Sequence, residues 1–229
     1  MKEQRTPIRN VGLFGDGGSG KTSLAEALLY SAGAIERLGK VLDGATTMDY
    51  DPDEVKRSKS LTLGLATFQW KKTKINLIDA PGYGNFISDA YASLRVLDAA
   101  IFVIHAADGV RVQTQRLWAN CAEQNIARLV FVNAMDTERA NFEQVLNDLE
   151  TTLGGASIIP LQLPIGEAAT FSGAVDVLSQ KGMTFTDGER GEVKQSEVPV
   201  ELNDALAEVR EKLTEGAAEA NDDLVEKYL

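Results

Sequence analysis

Short apolar runs alternate with amphipathic segments over the first two thirds of the chain. The apolar runs lack the polar alternation of a strand with one solvated face, which indicates strands that are buried on both faces. Strands that alternate with helices favour a mainly parallel sheet with helices on both faces. The predicted buried strands are residues 9–14, 99–104 and 129–133, and the predicted helices are residues 22–31, 113–124 and 141–153.

Two further strands and a long polar connection lie between the first helix and the second buried strand. Residues 61–70 and 74–79 are rich in apolar side chains and nearly adjacent, so we expect them to pair. Residues 38–59 are polar, rich in glycine and aspartate, and include Pro52. A connection of this length is uncommon unless it has a role of its own, so the sequence predicts a functional loop.

The pattern changes after Gly154, which predicts a second, smaller part of the structure. Its predicted elements are an extended segment over residues 158–165, a hairpin over residues 173–193 with turn residues at Asp187-Gly188 and Arg190-Gly191, and an amphipathic helix over residues 199–216 with Leu202, Leu206, Val209 and Leu213 on one face. We therefore predict a core domain over residues 1–156 and a small α+β insertion over residues 157–229.

The composition excludes several classes of function. Lysine and arginine number 23 against 34 aspartates and glutamates, a formal net charge of −11, so the surface is unsuited to DNA or an anionic membrane. A local docking patch for a nucleoprotein particle is still compatible with this balance. One cysteine and one histidine leave no set for a disulfide or a Cys- or His-based metal site, and no apolar run approaches the ~20 residues of a membrane span. We expect a cytoplasmic monomer without membrane or DNA contact.

A glycine-rich loop follows the first predicted strand and precedes the first predicted helix. It matches G-x-x-x-x-G-K-[ST] and comprises Gly15, Asp16, Gly17, Gly18, Ser19, Gly20, Lys21 and Thr22. Glycines allow the backbone to wrap a phosphate with its N–H groups inward, and the helix start adds its positive end. In this pattern Lys21 reaches the β- and γ-phosphates and Thr22 offers its hydroxyl to Mg²⁺. A ligand-free strand-to-helix turn is the weaker interpretation, because both flanking elements are predicted.

Asp79-Ala80-Pro81-Gly82 ends a predicted strand, at the edge where ligands bind in a parallel sheet. A carboxylate at this place can hold Mg²⁺, often through a water molecule. Gly82 leaves its backbone N–H available to a γ-phosphate, and the following residues can move when that phosphate leaves. Alone, D-x-x-G is most often a plain turn. After a phosphate-binding loop it indicates a sensor of the metal and the γ-phosphate.

Asn133-Ala134-Met135-Asp136 follows a further predicted strand. The Asp136 carboxylate can accept hydrogen bonds from both N1–H and the amino group of guanine, a pair that adenine does not offer. A lone N-x-x-D is equally consistent with a helix N-cap at Asp136. Because the two other motifs precede it in order, we interpret it as a guanine-binding motif.

The ordered motifs resemble those of the translational GTPases, above all elongation factor G and its divergent elongation factor G-like branch. The strings that carry the resemblance run from about residue 9 to the end of the chain and are GDGGSGKTSLAEALLYSAGAIERLGKV, TTMDYDPDEVKRS, NLIDAPGYGNF, FVNAMD, IPLQLPIG and LVEKYL. The resemblance implies an α/β P-loop GTPase fold with an insertion in the GTPase domain. Family members continue into a last strand, a guanine-contacting loop and further domains, so we expect an N-terminal fragment of a longer protein.

The resemblance assigns roles to individual positions. It implies that residues 15–22 bind the phosphates of GTP or GDP, that residues 38–59 form switch I, and that Mg²⁺ is held by Thr22, Ser60 and Asp79. Switch II begins with Asp79, Ala80, Pro81, Gly82 and Tyr83, and the resemblance makes Gly82 and Tyr83 the catalytic residues. The guanine contacts come from Asn133, Ala134, Met135 and Asp136. The implied partner is the ribosome.

Four departures from the family pattern bear on activity. Tyr83 stands where the family has a histidine that positions the attacking water, and a phenol is neutral at pH 7 and a poorer proton acceptor. Ala134 replaces the lysine of N-K-x-D and loses an aliphatic stem. Gly18 stands where an aspartate is common, and Ser60 keeps the hydroxyl of the usual threonine without its stiffening methyl group. The string RSKSLTL also lacks the family's R-G-I-T.

Three hypotheses follow. The first is an elongation factor G-like switch that binds Mg-GTP and hydrolyses it on the ribosome. The second, based on Tyr83, is a GTP-binding, ribosome-associated regulator with impaired hydrolysis. The third, a P-loop ATPase or kinase unrelated to translation, has the least support because Asp136 points to guanine and no substrate-lid motif is apparent.

Overall fold

A computed structural model describes residues 6–153, 158–186 and 193–219. The chain divides into two compact units, one ending at Ala134 and one starting at Met135. Each unit contains its own sheet, with five strands in the first and four in the second. No helix within the described ranges is long and apolar enough to cross a membrane.

The first unit is built around a mainly parallel sheet. Its strands are β1 (Ile8–Phe14), β2 (Gly64–Trp70), β3 (Thr73–Asp79), β4 (Ala99–His105) and β5 (Ala127–Asn133), and its helices are α1 (Lys21–Ser31), α2 (Pro52–Arg57), α3 (Ile87–Ser93) and α4 (Val112–Glu123). The strand order is β2-β3-β1-β4-β5. Strands β3, β1, β4 and β5 run parallel, and β2 pairs antiparallel with β3. The predicted α/β class with a mainly parallel sheet is confirmed.

Both faces of this sheet are covered by helices. Neighbouring residues of a strand point to opposite sides of the sheet, so successive apolar residues can pack against helices on both faces. Leu13 belongs to a buried cluster with Leu29 of α1. The next residue, Phe14, lies on the other face with its ring centroid 5.7 Å from that of Phe102. Phe102 in turn meets Trp118 of α4 edge-on at 5.1 Å. Continuous apolar runs in the sequence therefore correspond to strands packed on both sides.

The parallel register brings the carboxyl ends of several strands to one edge of the sheet. Leu13 of β1 lies opposite Asp79 of β3, and His105 of β4 lies opposite Asn133 of β5. The connections that leave this edge include the glycine-rich loop and the segment after Asp79. The three predicted motifs follow β1, β3 and β5, and the fold brings the carboxyl ends of these strands to the same edge of the sheet.

Two short helices of the first unit were not predicted. The predicted functional loop over residues 38–59 contains α2, which begins at Pro52 behind a capping box formed by Asp51 and Glu54. The sequence D-P-x-E carries that signal, but the helix is too short to show apolar periodicity. Helix α3 has seven residues between two 3-10 turns, so its pattern is equally short.

The second unit combines a four-stranded antiparallel sheet with two helices. Its elements are α5 (Phe142–Thr152), β6 (Gln162–Ile165), β7 (Gly173–Asp176), β8 (Lys181–Phe185), β9 (Val193–Ser196) and α6 (Asn203–Glu219). The sheet order is β6-β7-β8-β9, each strand pairing with the next. The predicted amphipathic helix packs on a core of Leu163, Val175 and Val177 through the stripe Leu202, Leu206, Val209 and Leu213.

Two details of this unit differ from expectation. Phe142 of α5 packs against the hydrophobic core of the second unit, so this unit starts before residue 157. The division into a core over residues 1–156 and an insertion over residues 157–229 stays a prediction. The predicted hairpin has an additional turn at residues 177–180, where Ser179 donates its backbone N–H to Asp176. The predicted turn residues Asp187-Gly188 and Arg190-Gly191 lie outside the described residues.

The only cysteine of the chain, Cys121 in α4, is fully buried. Burial raises the pKa of its thiol to about 11, an effect that the nearby Arg128 partly offsets. Because the thiolate is the nucleophile, we expect native protein at pH 8 to react with a disulfide reagent at least about a hundredfold more slowly than the unfolded chain. Thiol release followed by absorbance, with and without urea, measures the two rates. Complete reaction of native protein within the mixing time would contradict the burial of Cys121.

Candidate functional site

The glycine-rich loop between β1 and α1 has a backbone that glycine makes possible. Gly15, Gly18 and Gly20 have φ angles of 144°, 85° and 94°, in the region that L side chains rarely adopt. A side chain at Gly20 would also collide with the amide group of Asn133. Helix α1 starts at the next residue, so the N–H groups of its first turn face the loop. The loop therefore has the shape and the helix end that an anion requires.

Lys21 is the cation of this loop, and it is almost completely buried, with 6% exposure. Its ammonium group donates a hydrogen bond to the backbone oxygen of Asp16 at 2.9 Å. Burial lowers the pKa of Lys21, and the carboxylates of Asp79, Asp16 and Asp49 offset that effect only in part. A buried lysine whose charge is incompletely balanced is a good binding group for a phosphate.

Thr22, Ser60 and Asp79 converge next to Lys21. The Thr22 hydroxyl donates to a carboxylate oxygen of Asp79 at 2.6 Å and lies 3.1 Å from the Ser60 hydroxyl. These residues come from α1, from the segment after α2 and from the end of β3. All three predicted Mg²⁺ ligands thus lie within one hydrogen-bonded chain.

The second carboxylate oxygen of Asp79, Oδ1, is buried and has no hydrogen-bond partner within the part of the chain that the structure describes. Burial raises the pKa of Asp79 to about 6, although the hydrogen bond from Thr22 and the charge of Lys21 act in the opposite direction. A bare buried carboxylate is costly, and a cation with a preference for oxygen ligands would remove that cost. The residues therefore fit Mg²⁺. No group of three or more His, Cys, Asp or Glu side chains suited to a metal occurs among the described residues.

Carboxylates organise the segment that carries Ser60, and the sequence motifs did not single them out. Glu54 has 1% exposure, and one of its oxygens, Oε1, accepts hydrogen bonds from the backbone N–H groups of Leu61 and Thr62 at 2.8 and 2.9 Å. The Thr62 hydroxyl donates to the same oxygen at 3.1 Å. The backbone immediately after Ser60 is therefore fixed by a buried acceptor.

Two further carboxylates hold the start of the same segment. Glu26 of α1 accepts a hydrogen bond from the backbone N–H of Thr47, and the Asp49 carboxylate accepts one from Ser60. Burial raises the pKa of Asp49, which the hydrogen bond from Ser60 partly counteracts. The string TTMDYDPDEVKRS contained Asp49 and Glu54, but neither side chain belongs to a recognised short motif.

The switch II segment after β3 contacts the phosphate loop directly. The backbone N–H of Gly17 donates to the backbone oxygen of Gly82 at 3.1 Å. A side chain on Gly82 would collide with the ammonium group of Lys21, which accounts for glycine at the end of D-x-P-G. The ring of Tyr83 lies against Gly17, where an added Cβ would overlap it. The ammonium group of Lys59 lies 4.9 Å from the centre of the same ring.

These groups surround a cavity of about 220 Å³ in the first unit. Its lining consists of Gly17, Gly18, Gly20, Lys21, Thr22, Ser23, Val41, Asp49, Ser58, Lys59, Ser60, Gly82 and Tyr83. Residues of the predicted phosphate loop, two of the predicted metal ligands, Thr22 and Ser60, and two residues of predicted switch II, Gly82 and Tyr83, therefore share one opening.

The predicted guanine-binding motif runs from Asn133 to Asp136, and the first unit ends at Ala134. Asn133 belongs to the first unit and donates from its side-chain amide to the backbone oxygen of Ser19 at 2.9 Å, tying the end of β5 to the phosphate loop. Ala134 adopts a left-handed conformation with φ of 59°. Asp136 belongs to the second unit and is exposed, whereas Met135 is buried. The N-cap of α5 is Asn141, which accepts from the N–H of Gln144, so the alternative role of Asp136 as a helix cap is filled by another residue.

Comparisons with known proteins identify the family of this chain. The sequence model of the elongation factor Tu GTP binding domain matches residues 6–224. Elongation factor G 1 of Synechocystis sp. is 36% identical over 230 residues, an alignment that covers 100% of this chain and 33% of that protein. A crystal structure of a protein from Thermus thermophilus superposes with a TM-score of 0.89 at 36% identity, covering 98% of this chain and 33% of the other.

The chain therefore belongs to the elongation factor Tu GTP binding domain family and, within it, to the translational GTPases of the elongation factor G type. It spans about a third of the length of the relatives that it matches.

Replacing Glu54 by alanine tests how the Ser60 segment is held. The change leaves three backbone N–H groups without their acceptor, at a cost on the order of 1–3 kcal/mol for each that stays buried. We expect the segment to open instead, so that trypsin cleaves after Lys56, Arg57 or Lys59 at least about tenfold faster. The rate of fragment formation on a gel measures the effect.

Asp53→Ala is the matched control, because Asp53 is the exposed neighbour of Glu54 in the same short helix. This variant should be cleaved at the rate of the unchanged protein. Equal cleavage rates for the Glu54 and Asp53 variants would show that the buried carboxylate does not hold the segment.

Proposed function

We propose that this chain is the nucleotide-binding domain of an elongation factor G-like switch and that it binds GTP or GDP together with Mg²⁺. The observation that carries the proposal is the convergence of Thr22, Ser60 and Asp79 beside the buried Lys21. Bound Mg²⁺ would neutralise phosphate charge. Thr22, Ser60 and Asp79 would hold it, and Lys21 with the N–H groups of residues 15–22 would bind the phosphates.

The choice of guanine rests on Asn133 and Asp136. Asn133 stiffens the phosphate loop through its hydrogen bond to Ser19. Asp136 has an exposed carboxylate that no cap of α5 requires, since Asn141 fills that role. An acceptor for two guanine N–H groups rejects adenine, because the wrong base leaves a desolvated acceptor unpaired.

The chemical step is hydrolysis of the terminal phosphate, which we assign to the ribosome-bound state of the natural protein. Ser60 and Gly82 would be held toward the γ-phosphate and released after it leaves, which is how the two loops would report the nucleotide state.

A second candidate function is a GTP-bound regulator of the ribosome with impaired hydrolysis. Tyr83 favours this candidate, because its ring lies over Gly17 and beside Lys59, and its phenol is a weak base at pH 7. The two candidates share the binding site and differ only in turnover.

The binding proposal predicts a ranking of nucleotides. GTP and GDP in the presence of Mg²⁺ should bind to the 229-residue chain at least about a hundredfold more tightly than ATP, since a carboxylate that the bound base covers and leaves unpaired costs about 3 kcal/mol. Removal of Mg²⁺ with EDTA should weaken GTP binding. Isothermal titration of each nucleotide, with and without the metal, measures these affinities.

Thr22→Val serves as the partner variant because it keeps the size of the side chain and removes the hydroxyl. It should bind GTP with little dependence on Mg²⁺. ATP affinity equal to that of GTP would remove the guanine assignment, and unchanged Mg²⁺ dependence in Thr22→Val would remove the metal assignment.

The choice between hydrolase and regulator predicts the effect of Tyr83→His in the natural protein that contains this chain. If the phenol limits hydrolysis, histidine should raise ribosome-stimulated phosphate release at least about tenfold, since a positioned general base contributes 10²–10⁴-fold. Tyr91→His, at another part-buried tyrosine, is the control and should have no effect. Phosphate release by the unchanged protein at the rate of an ordinary translocating factor would eliminate the regulator.

A further inference from the structure

The mouth of the phosphate cavity carries a second lysine that no motif requires. Lys59 immediately precedes Ser60, whose hydroxyl lies 3.1 Å from that of Thr22. Lys59 and Lys21 both line the cavity of about 220 Å³. Lys21 is buried, whereas Lys59 is exposed.

An aromatic ring supports the Lys59 side chain. The ammonium group lies 4.9 Å from the centre of the Tyr83 ring, within the range of a cation–π interaction. The ring itself lies against Gly17, in space that any side chain at that position would fill. Three residues that were unremarkable or atypical in the sequence thus form one stack, which we call the Gly17–Tyr83–Lys59 stack.

The charges around the stack favour an anion as its ligand. A solvent-exposed lysine would ordinarily point into water, because fixing its side chain costs entropy. Here the ammonium group of Lys59 lies over the face of the Tyr83 ring, which has a negative electrostatic potential, at the rim of the predicted phosphate-binding loop. Ammonium groups bind phosphate oxygens by charge-assisted hydrogen bonds, and a ring that holds the cation at the rim reduces the entropy lost on binding.

We propose that Lys59 is a phosphate-binding residue that contacts the terminal phosphate of a bound nucleoside triphosphate and selects the triphosphate over the diphosphate. Tyr83 is its positioning residue. The proposal rests on the proposed function, since it needs a nucleotide in the cavity. It gives Tyr83 a role in binding that is separate from any part in hydrolysis.

The test compares GTP and GDP affinity in the 229-residue chain at a fixed, saturating concentration of Mg²⁺. Lys59→Met removes the charge and keeps the length of the side chain. It should weaken GTP binding about tenfold and change GDP binding by less than about twofold, since a hydrogen bond to a charged group is worth about 1.5 kcal/mol or more. Lys59→Arg keeps the charge and should restore most of the GTP affinity.

Two further variants separate the stack from a general effect of charge. Lys56→Met removes an exposed lysine three residues earlier in α2 and should leave both affinities unchanged. Tyr83→Leu should weaken GTP binding in the unchanged background but have little further effect in Lys59→Met, because the two residues act as a pair. Tyr83→Phe keeps the ring that supports Lys59 and should restore the GTP affinity that Tyr83→Leu loses.

Each outcome has a definite meaning. Equal losses of GTP and GDP affinity in Lys59→Met, or no loss of either, would overturn the proposal, as would full additivity of the Lys59 and Tyr83 variants. The GDP arm reports whether each variant is folded. If the unchanged chain binds GTP and ATP equally while Lys59→Met still loses triphosphate affinity, only the guanine assignment fails. If it binds no nucleotide, both proposals fail.

Discussion

The parallel pairing of β1 with β3 and β4 is the constraint on which the site depends. Because these strands run in the same direction, their carboxyl ends meet at one edge of the sheet. Leu13 lies opposite Asp79, so the phosphate loop after β1 and the carboxylate at the end of β3 become neighbours without any long connection. The hydrogen bond from Thr22 to Asp79 follows from that register. An antiparallel β3 would place Asp79 at the far edge and leave α1 without a partner carboxylate.

Buried charge is the second organising principle of the site. The pKa of Lys21 is lowered and the pKa of Asp79 is raised. Burial favours the neutral form of each group by more than their mutual attraction favours the charged forms. The chain tolerates this cost at the place where a cation and an anionic ligand would offset it. Hydrogen bonds to Glu26 and Glu54 hold the segment before and after Ser60, in addition to the buried side chain of Met48. Polar contacts of this kind can exchange with water at little cost, which suits a loop that changes conformation.

The sequence was most informative where one physical rule acts alone. Continuous apolar runs identify β1, β4 and β5 because a strand buried on both faces has no polar alternation. The left-handed glycines and the buried lysine of the phosphate loop were predictable because few other residues satisfy that backbone and that ligand. Short elements such as α2 and α3 were missed because a helix of six or seven residues spans too few turns to show periodicity. Glu54 and Lys59 were missed because their roles depend on tertiary contacts with Leu61, Thr62 and Tyr83, which no local spacing encodes.

The burial of Cys121 has a practical consequence for labelling this protein. The only native thiol, that of Cys121 in α4, is buried and therefore poorly accessible to a maleimide. A cysteine introduced on the exposed surface of α2 would then be labelled selectively with a maleimide fluorophore. A second dye on the nucleotide would then allow energy transfer to follow the loop in real time, without prior removal of a natural side chain.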